Sequence, residues 1–250
     1  MSDTVDSELW VRRFHPAPDA KARVACFPHA GGAASAFYAL SAALHPEIEV
    51  LCLQYPGRQD RRTEEPLTDL RTLAEHSFHA LRPWRQEPLA LFGHSMGSAV
   101  AFEVALRMEA ESQPPSVLVA SGRRAPGLGG GENVHLRGDE GIIDELRNLS
   151  GTDSRLLDDP EMREALLPSM RADYRAIETY VCEPTLRLRT PVEVFMGDSD
   201  SQVTPDQARA WAAHASGAFG LRWFSGGHFY LNTRHTEFVD QLSEVVRAHS

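Results

Sequence analysis

The sequence predicts an α/β fold: a mostly parallel central sheet with helices on both faces and a helical insertion near one edge. Short apolar runs alternate with helix-length segments along most of the chain, the rhythm of a parallel sheet. One of these runs ends in a serine held between glycines and continues into an apolar helical pattern. The stretch 123–189 breaks the alternation and offers helical patterns alone. At 250 residues and 42% hydrophobic content the chain can bury a sizeable core, and residues 1–250 are expected to form one domain.

Taken in order, "RVACFPH" (Arg23–His29), "IEVLCLQY" (Ile48–Tyr55), "LALFG" (Leu89–Gly93), "SVLVAS" (Ser116–Ser121), "PVEVFMG" (Pro191–Gly197) and "LRWFSG" (Leu221–Gly226) read as strands. After Ser95, the residues Val100, Phe102, Val104, Ala105, Leu106 and Met108 leave little polar face, so that helix should be buried against the sheet. In 123–189 the residues Met162, Leu166, Met170, Tyr174, Ile177 and Val181 recur every three or four positions, one helical stripe, which Pro168 should kink or divide. An insertion this long between two strands is expected to act as a lid over the sheet edge, with Gly129, Gly130 and Gly131 as its hinge. Further on, Thr204, Pro205 and Gln207 spell a capping box with proline at the first helical position, and that helix should stop at Gly217. Phe238, Leu242, Val245 and Val246 give a last amphipathic helix.

A formal net charge of -10 argues against nucleic acid or an anionic membrane as partner. No basic start followed by an apolar leader stands at the N-terminus, and no apolar run approaches the roughly 18 residues a membrane span needs. A cytoplasmic location is therefore expected. Cys26, Cys52 and Cys182 lack metal-ligand spacing and read as buried free thiols.

"GHSMG" (Gly93–Gly97) matches G-x-S-x-G and lies where the mechanics of a nucleophile elbow require, after a buried strand and before a buried helix. The sharp turn should lift the Ser95 hydroxyl clear of the sheet at a helix N-terminus, where developing negative charge is favoured. Serine needs a base, and the base needs an orienting carboxylate, in the chain order serine, acid, histidine for an α/β-hydrolase. The acids of "FMGDSDSQVTP" follow the fifth run and His228 of "SGGHFYL" follows the sixth. Asp200 is preferred as the third member because it lies further along its loop, while Asp198 should cap the turn. The oxyanion hole is expected from two backbone N–H groups, Met96 after the nucleophile and Ala30 in "FPHAGGAAS".

Other polar residues have plainer readings. His29 is expected to pack near the site as a surface histidine without doing chemistry, and His94 to pack beneath the elbow. His76 and His79 have no companion that would complete a metal site. Arg58, Arg61 and Arg62, with Arg123 and Arg124, could guide a phosphate group or dock an acidic partner as a local basic surface; solvated surface arginines are the simpler reading.

The set "FPHAGG", "QYPGRQDR", "GHSMG", "LPSMRADYRAIETY", "GDSD" and "SGGHFYL" resembles the stand-alone type II thioesterases that accompany polyketide and nonribosomal peptide synthases, over Phe14 to Val246. The resemblance implies a Ser95, Asp200, His228 triad with Ala30 and Met96 amides as the oxyanion hole. It implies hydrolysis of stalled or wrong acyl groups from the phosphopantetheine arm of acyl or peptidyl carrier proteins, with no metal and no cofactor of the enzyme's own. A medium-chain fatty acyl thioesterase or a general carboxylesterase would carry the same triad, and these are the alternatives.

Overall fold

The computed structural model describes residues 6–129, 133–149 and 158–250. The first five residues, and Gly130 and Gly131 of the expected hinge, lie outside the described residues. The strands are β1 (Val11–Arg12), β2 (Ala22–Phe27), β3 (Ile48–Leu53), β4 (Leu89–His94), β5 (Leu118–Ser121), β6 (Val192–Gly197) and β7 (Phe219–Phe224). They form one seven-stranded sheet in the order β1-β3-β2-β4-β5-β6-β7. Every neighbouring pair is parallel except β1 with β3. β1 is the strand the sequence does not announce, because two residues carry no alternation to read.

The helices are α1 (Ser7–Trp10), α2 (Tyr38–Leu44), α3 (Leu70–Ala80), α4 (Met96–Ala110), α5 (Asp139–Leu149), α6 (Pro160–Glu178), α7 (Pro205–Arg209), α8 (Tyr230–Thr233) and α9 (His235–Ala248). Side chains alternate across the sheet, so β3 sends Leu51 and Leu53 to one core and Val50 and Cys52 to the other. The first core takes α3 and α4, and the second takes α2 and α9. Apolar cover on both faces explains why the inner strands read as continuous apolar runs. Cys26, Cys52 and Cys182 are buried free thiols, the first two register partners on β2 and β3.

Between β5 and β6 the described residues contain a 3-10 turn at Val134–Leu136 and the helices α5 and α6. Val134, Ile142, Ile143, Leu146 and Met170 form a third apolar cluster, separate from the two against the sheet. Asp159 caps α6 by accepting the Glu161 and Met162 N–H groups at 2.9 and 3.2 Å, and Pro160 takes the first position. No second helix begins at Pro168; α6 continues through it as one element. A proline there removes one bond of the ladder, while apolar packing on α6 continues past it through Met170 and Ile177. The stripe is also shorter than expected: Met162 is 44% exposed, and Val181, past the end of α6, is 73% exposed. Thr204 and Gln207 form the expected capping box, but α7 gives way to a 3-10 turn at Ala210.

Candidate active site

Ser95 sits at the junction of β4 and α4 with φ +52° and ψ -119°, a conformation costing a non-glycine residue about 1–3 kcal/mol. The strain is held from outside: the Ser95 N–H donates to the Ser121 carbonyl at 2.8 Å, and the Ser98 hydroxyl accepts the Ser121 N–H at 3.0 Å. Both flanking glycines are demanded by space. A Cβ at Gly93 would stand 2.2 Å from the Gly97 carbonyl oxygen, and one at Gly97 would stand 2.0 Å from that of Phe27. Ser95 Oγ makes no hydrogen bond among the described residues. The adjacent Met96 N–H opens α4, where the first N–H groups lack an intrahelical acceptor.

His228 follows β7 and Asp200 follows β6, and their loops meet where the N–H of Ser199 donates to the Gly226 carbonyl at 2.9 Å. His228 Nδ1 donates to Asp200 Oδ2 at 2.9 Å, with the two side chains 5% and 0% exposed. Asp200 Oδ1 takes the Gln202 N–H at 2.8 Å, so both carboxylate oxygens are engaged. This fixes the tautomer and leaves Nε2 with its lone pair. Asp198 is spent on the turn: its Oδ1 accepts the Gly226 N–H at 3.0 Å and the Ser199 hydroxyl at 2.8 Å. The Gly226 N–H is the main cause that holds the Asp198 carboxyl below its usual range.

A cavity of about 920 Å³, including its open mouth, brings together Ser95, Met96, His29, Ala30 and His228. Asp200 stands behind His228 and does not line it. Val134, Leu146, Met170 and Ile177 also line the cavity, alongside Glu145 and Glu178. A serine hydroxyl, an imidazole held by a buried carboxylate and the backbone of Ala30 and Met96 therefore border one space large enough for an acyl chain, an arrangement whose chemistry suits acyl transfer to water.

Two more imidazoles lie near His228. His94 is fully buried under the elbow, its Nδ1 2.9 Å from Ser121 Oγ, which in turn lies 2.7 Å from the Tyr230 hydroxyl. Burial, then the charges of His228 and His29, push its pKa well below the ordinary histidine value. His29 packs edge-on to Phe229 at 4.9 Å and is only partly exposed rather than a surface residue. Burial first, then His228 and Arg58, bring it down to about 4. Both rings are neutral near pH 7.

The arginines correct the sequence reading. Arg58, Arg61 and Arg124 are buried, at 5%, 5% and 7% exposure, and Arg123 is partly exposed; only Arg62 of the five is open to solvent. Arg58 pairs with Asp173, while Arg61 pairs with Glu64, donates to the Gln54 carbonyl and stacks on Trp10. These five arginines form no continuous basic surface because three of the side chains are buried, Arg58 and Arg61 in polar contacts of their own. Asp173 is the residue the sequence reading missed. Its signal was available: an acid at i+3 from Met170, on the apolar stripe of a helix, must find a cation when buried.

Among the described residues, no group of three His, Cys, Asp or Glu side chains could hold a metal ion, and His76 stacks on Trp10 at 5.3 Å. No helix among them is long and apolar enough to cross a membrane.

Residues 22–246 match the family model described as a thioesterase domain. The thioesterase PikA5 of Streptomyces venezuelae is 48% identical over 242 residues, covering 96% of this chain and 86% of that protein. The probable cadicidin biosynthesis thioesterase of Streptomyces griseus is 46% identical over 239 residues, covering 96% of this chain and 65% of its own length. Among solved structures, the type II thioesterase BorB from the borrelidin biosynthetic cluster superposes with a TM-score of 0.87 at 45% identity, covering 94% of this chain and 97% of that one.

Proposed function

Because this chain belongs to the thioesterase family, we propose that it removes acyl groups from the phosphopantetheine arm of acyl or peptidyl carrier proteins, in the service of polyketide or nonribosomal peptide synthesis. Ser95 is the nucleophile, His228 the base and Asp200 the carboxylate that holds the imidazole. The Ala30 and Met96 N–H groups bind the oxyanion. The observation that carries this reading is the buried Asp200–His228 pair, whose imidazole lines the same cavity as Ser95.

Ser95 attacks the thioester carbonyl as His228 Nε2 takes its proton, and the charge that develops on oxygen is met by two fixed N–H dipoles. The tetrahedral intermediate then collapses and expels the thiol. With a pKa of about 8.5 a thiol leaves more readily than an alcohol, so it needs little help from the imidazolium. Water, deprotonated by His228, then cleaves the acyl-enzyme. Each step uses this chain's own residues, and the pantetheine arrives and departs with the substrate.

Residues 123–189 serve as the lid. The apolar cluster of Val134, Leu146 and Met170 lies between its helices and forms the wall against which an acyl chain would lie. The experiment that tests the function compares kcat/KM for one acyl group on a carrier protein and on free pantetheine. A preference for the carrier-bound form supports the proposal; equal values favour a general esterase.

A further inference from the structure

Asp173 lies on α6 with no exposure, and every polar contact it makes leads to the loop that carries Ala30. Its Oδ2 accepts the Gly31 N–H at 2.8 Å. The same carboxylate takes both ends of the Arg58 guanidinium, Nη1 at 2.7 Å and Nη2 at 2.9 Å. Arg58 Nη1 also donates to the Gly32 carbonyl at 3.0 Å. Buried ion pairs add little to stability against apolar replacements, so one bonded to a loop that lines the Ser95 cavity calls for another role.

The backbone shows what is being held. The Gly32 N–H donates to the His29 carbonyl at 2.9 Å, closing a tight turn in which Gly31 has φ +72°. The Ala30 N–H shares a planar peptide with that carbonyl and points the opposite way. Holding the Gly31 N–H and the Gly32 carbonyl therefore fixes the turn, and the turn fixes the direction of the Ala30 N–H. The contact with α6 is close: a Cβ at Gly31 would stand 1.8 Å from Met170 Sδ, and Met170 is also part of the cavity wall.

We propose that Asp173 and Arg58 are positioning residues that aim the Ala30 N–H at the oxyanion and so tie transition-state stabilisation to the seating of α6 over the substrate cavity. This rests on Ala30 as an oxyanion donor, and it adds the device that sets the donor's direction. Neither side chain touches the reacting atoms. The acid belongs to the covering helix and the base to the loop after β3, so the donor is aligned only when α6 is in place.

The test is steady-state kinetics of Asp173→Asn, together with binding of an acyl trifluoromethyl ketone, which forms a tetrahedral adduct with serine, and of an acyl thioether, which does not. Misaiming one donor should lower kcat about 10²-fold. Affinity for the ketone should fall in parallel, with KM and thioether affinity within about twofold of the parent. A folded Asp173→Asn enzyme that keeps kcat within about threefold overturns the proposal, as does an equal loss of thioether and ketone binding. Should Asp173→Asn fail to fold, Arg58→Lys decides, since it keeps the charge and loses the two-pronged grip. It should lower kcat about tenfold at unchanged KM, and an unchanged kcat overturns the proposal. An amide-to-ester replacement that removes the Ala30 N–H separates the two layers of the argument. If it lowers kcat while Asp173→Asn does not, the positioning role alone falls; if it leaves kcat unchanged, the donor assignment falls and takes this proposal with it.

Discussion

Asp200 Oδ2 receives the Nδ1–H of His228 at 2.9 Å on a side chain with no solvent exposure, whereas Asp198, two residues earlier, is exposed and bonded to its own turn. The neighbouring acids are thereby assigned opposite duties. Asp200→Asn should lower kcat about 10³- to 10⁴-fold, because an amide can present its N–H to Nδ1 and favour the wrong tautomer. Asp198→Asn should cost less than tenfold. Steady-state kinetics on a free acyl thioester measures both, and a reversal of the ranking would reject the assignment.

The backbone of Ser95 supplies a test that separates strain from chemistry. Ser95→Ala and Ser95→Gly should both lose turnover, but glycine adopts φ +52° at little steric cost and alanine does not. The glycine variant should be about 1 kcal/mol more stable than the alanine variant. Chemical denaturation of the two proteins checks this, and equal stabilities would argue against strain at the elbow.

Stability should decline as the solution is acidified from about pH 6.5 to pH 4. His29 has an ordinary pKa near 6.5 when unfolded and is brought down to about 4 in the fold, so within that window the unfolded chain binds the extra proton. His94, lowered in the same sense by burial, adds to the slope. Folded stability is therefore full above the unfolded value and is lost as pH falls toward the folded one. Replacing His29 with Asn should flatten the dependence of Tm on pH between 6.5 and 4, whatever it does to Tm at neutrality; an unchanged slope would count against the buried neutral ring.

Arg61 and Arg62 are adjacent in sequence and opposite in environment. Arg61→Ala removes a buried cation that serves Glu64 and the Gln54 carbonyl and stacks on Trp10, and should cost about 2–4 kcal/mol. Arg62→Ala, at an exposed position, should stay within about 0.5 kcal/mol of the parent. Urea unfolding of the two variants distinguishes them, and similar losses would mean that the inward fold of Arg61 contributes nothing.

Filling the cavity at Leu146 should shorten the acyl chain that the enzyme accepts. Leu146 lies in the wall between α5 and α6, and Leu146→Trp adds volume where the chain would extend. Over a panel of acyl thioesters, kcat/KM should fall about tenfold for long chains and change little for acetyl, given the 1–3 kcal/mol that one misfit group is worth in an apolar pocket. A uniform loss across chain lengths would place the acyl group elsewhere.

The residues that local chemistry dictates were legible in the chain. Six strands could be read because a sheet covered on both faces needs continuous apolar runs, and the Gly93–Gly97 elbow because its turn leaves no room for a Cβ at either glycine. The order of Ser95, Asp200 and His228, each following a strand, placed them in loops at one edge of the sheet. Only the tertiary structure decided the rest. β1 exists through pairing with β3 and has too few residues to carry a pattern of its own. The arginines of "GRQDRR" look like one basic patch, yet Arg58 and Arg61 turn inward and Arg62 outward, since charge alone does not say which side chain finds a buried partner. Asp173 and Arg58, 115 positions apart, meet only because the helices inserted between β5 and β6 fold back over the loop of Ala30. Sequence determines what is governed by neighbours along the chain; a contact made across such a distance is set by packing, and packing brought the acid of the covering helix to the turn beside Ser95.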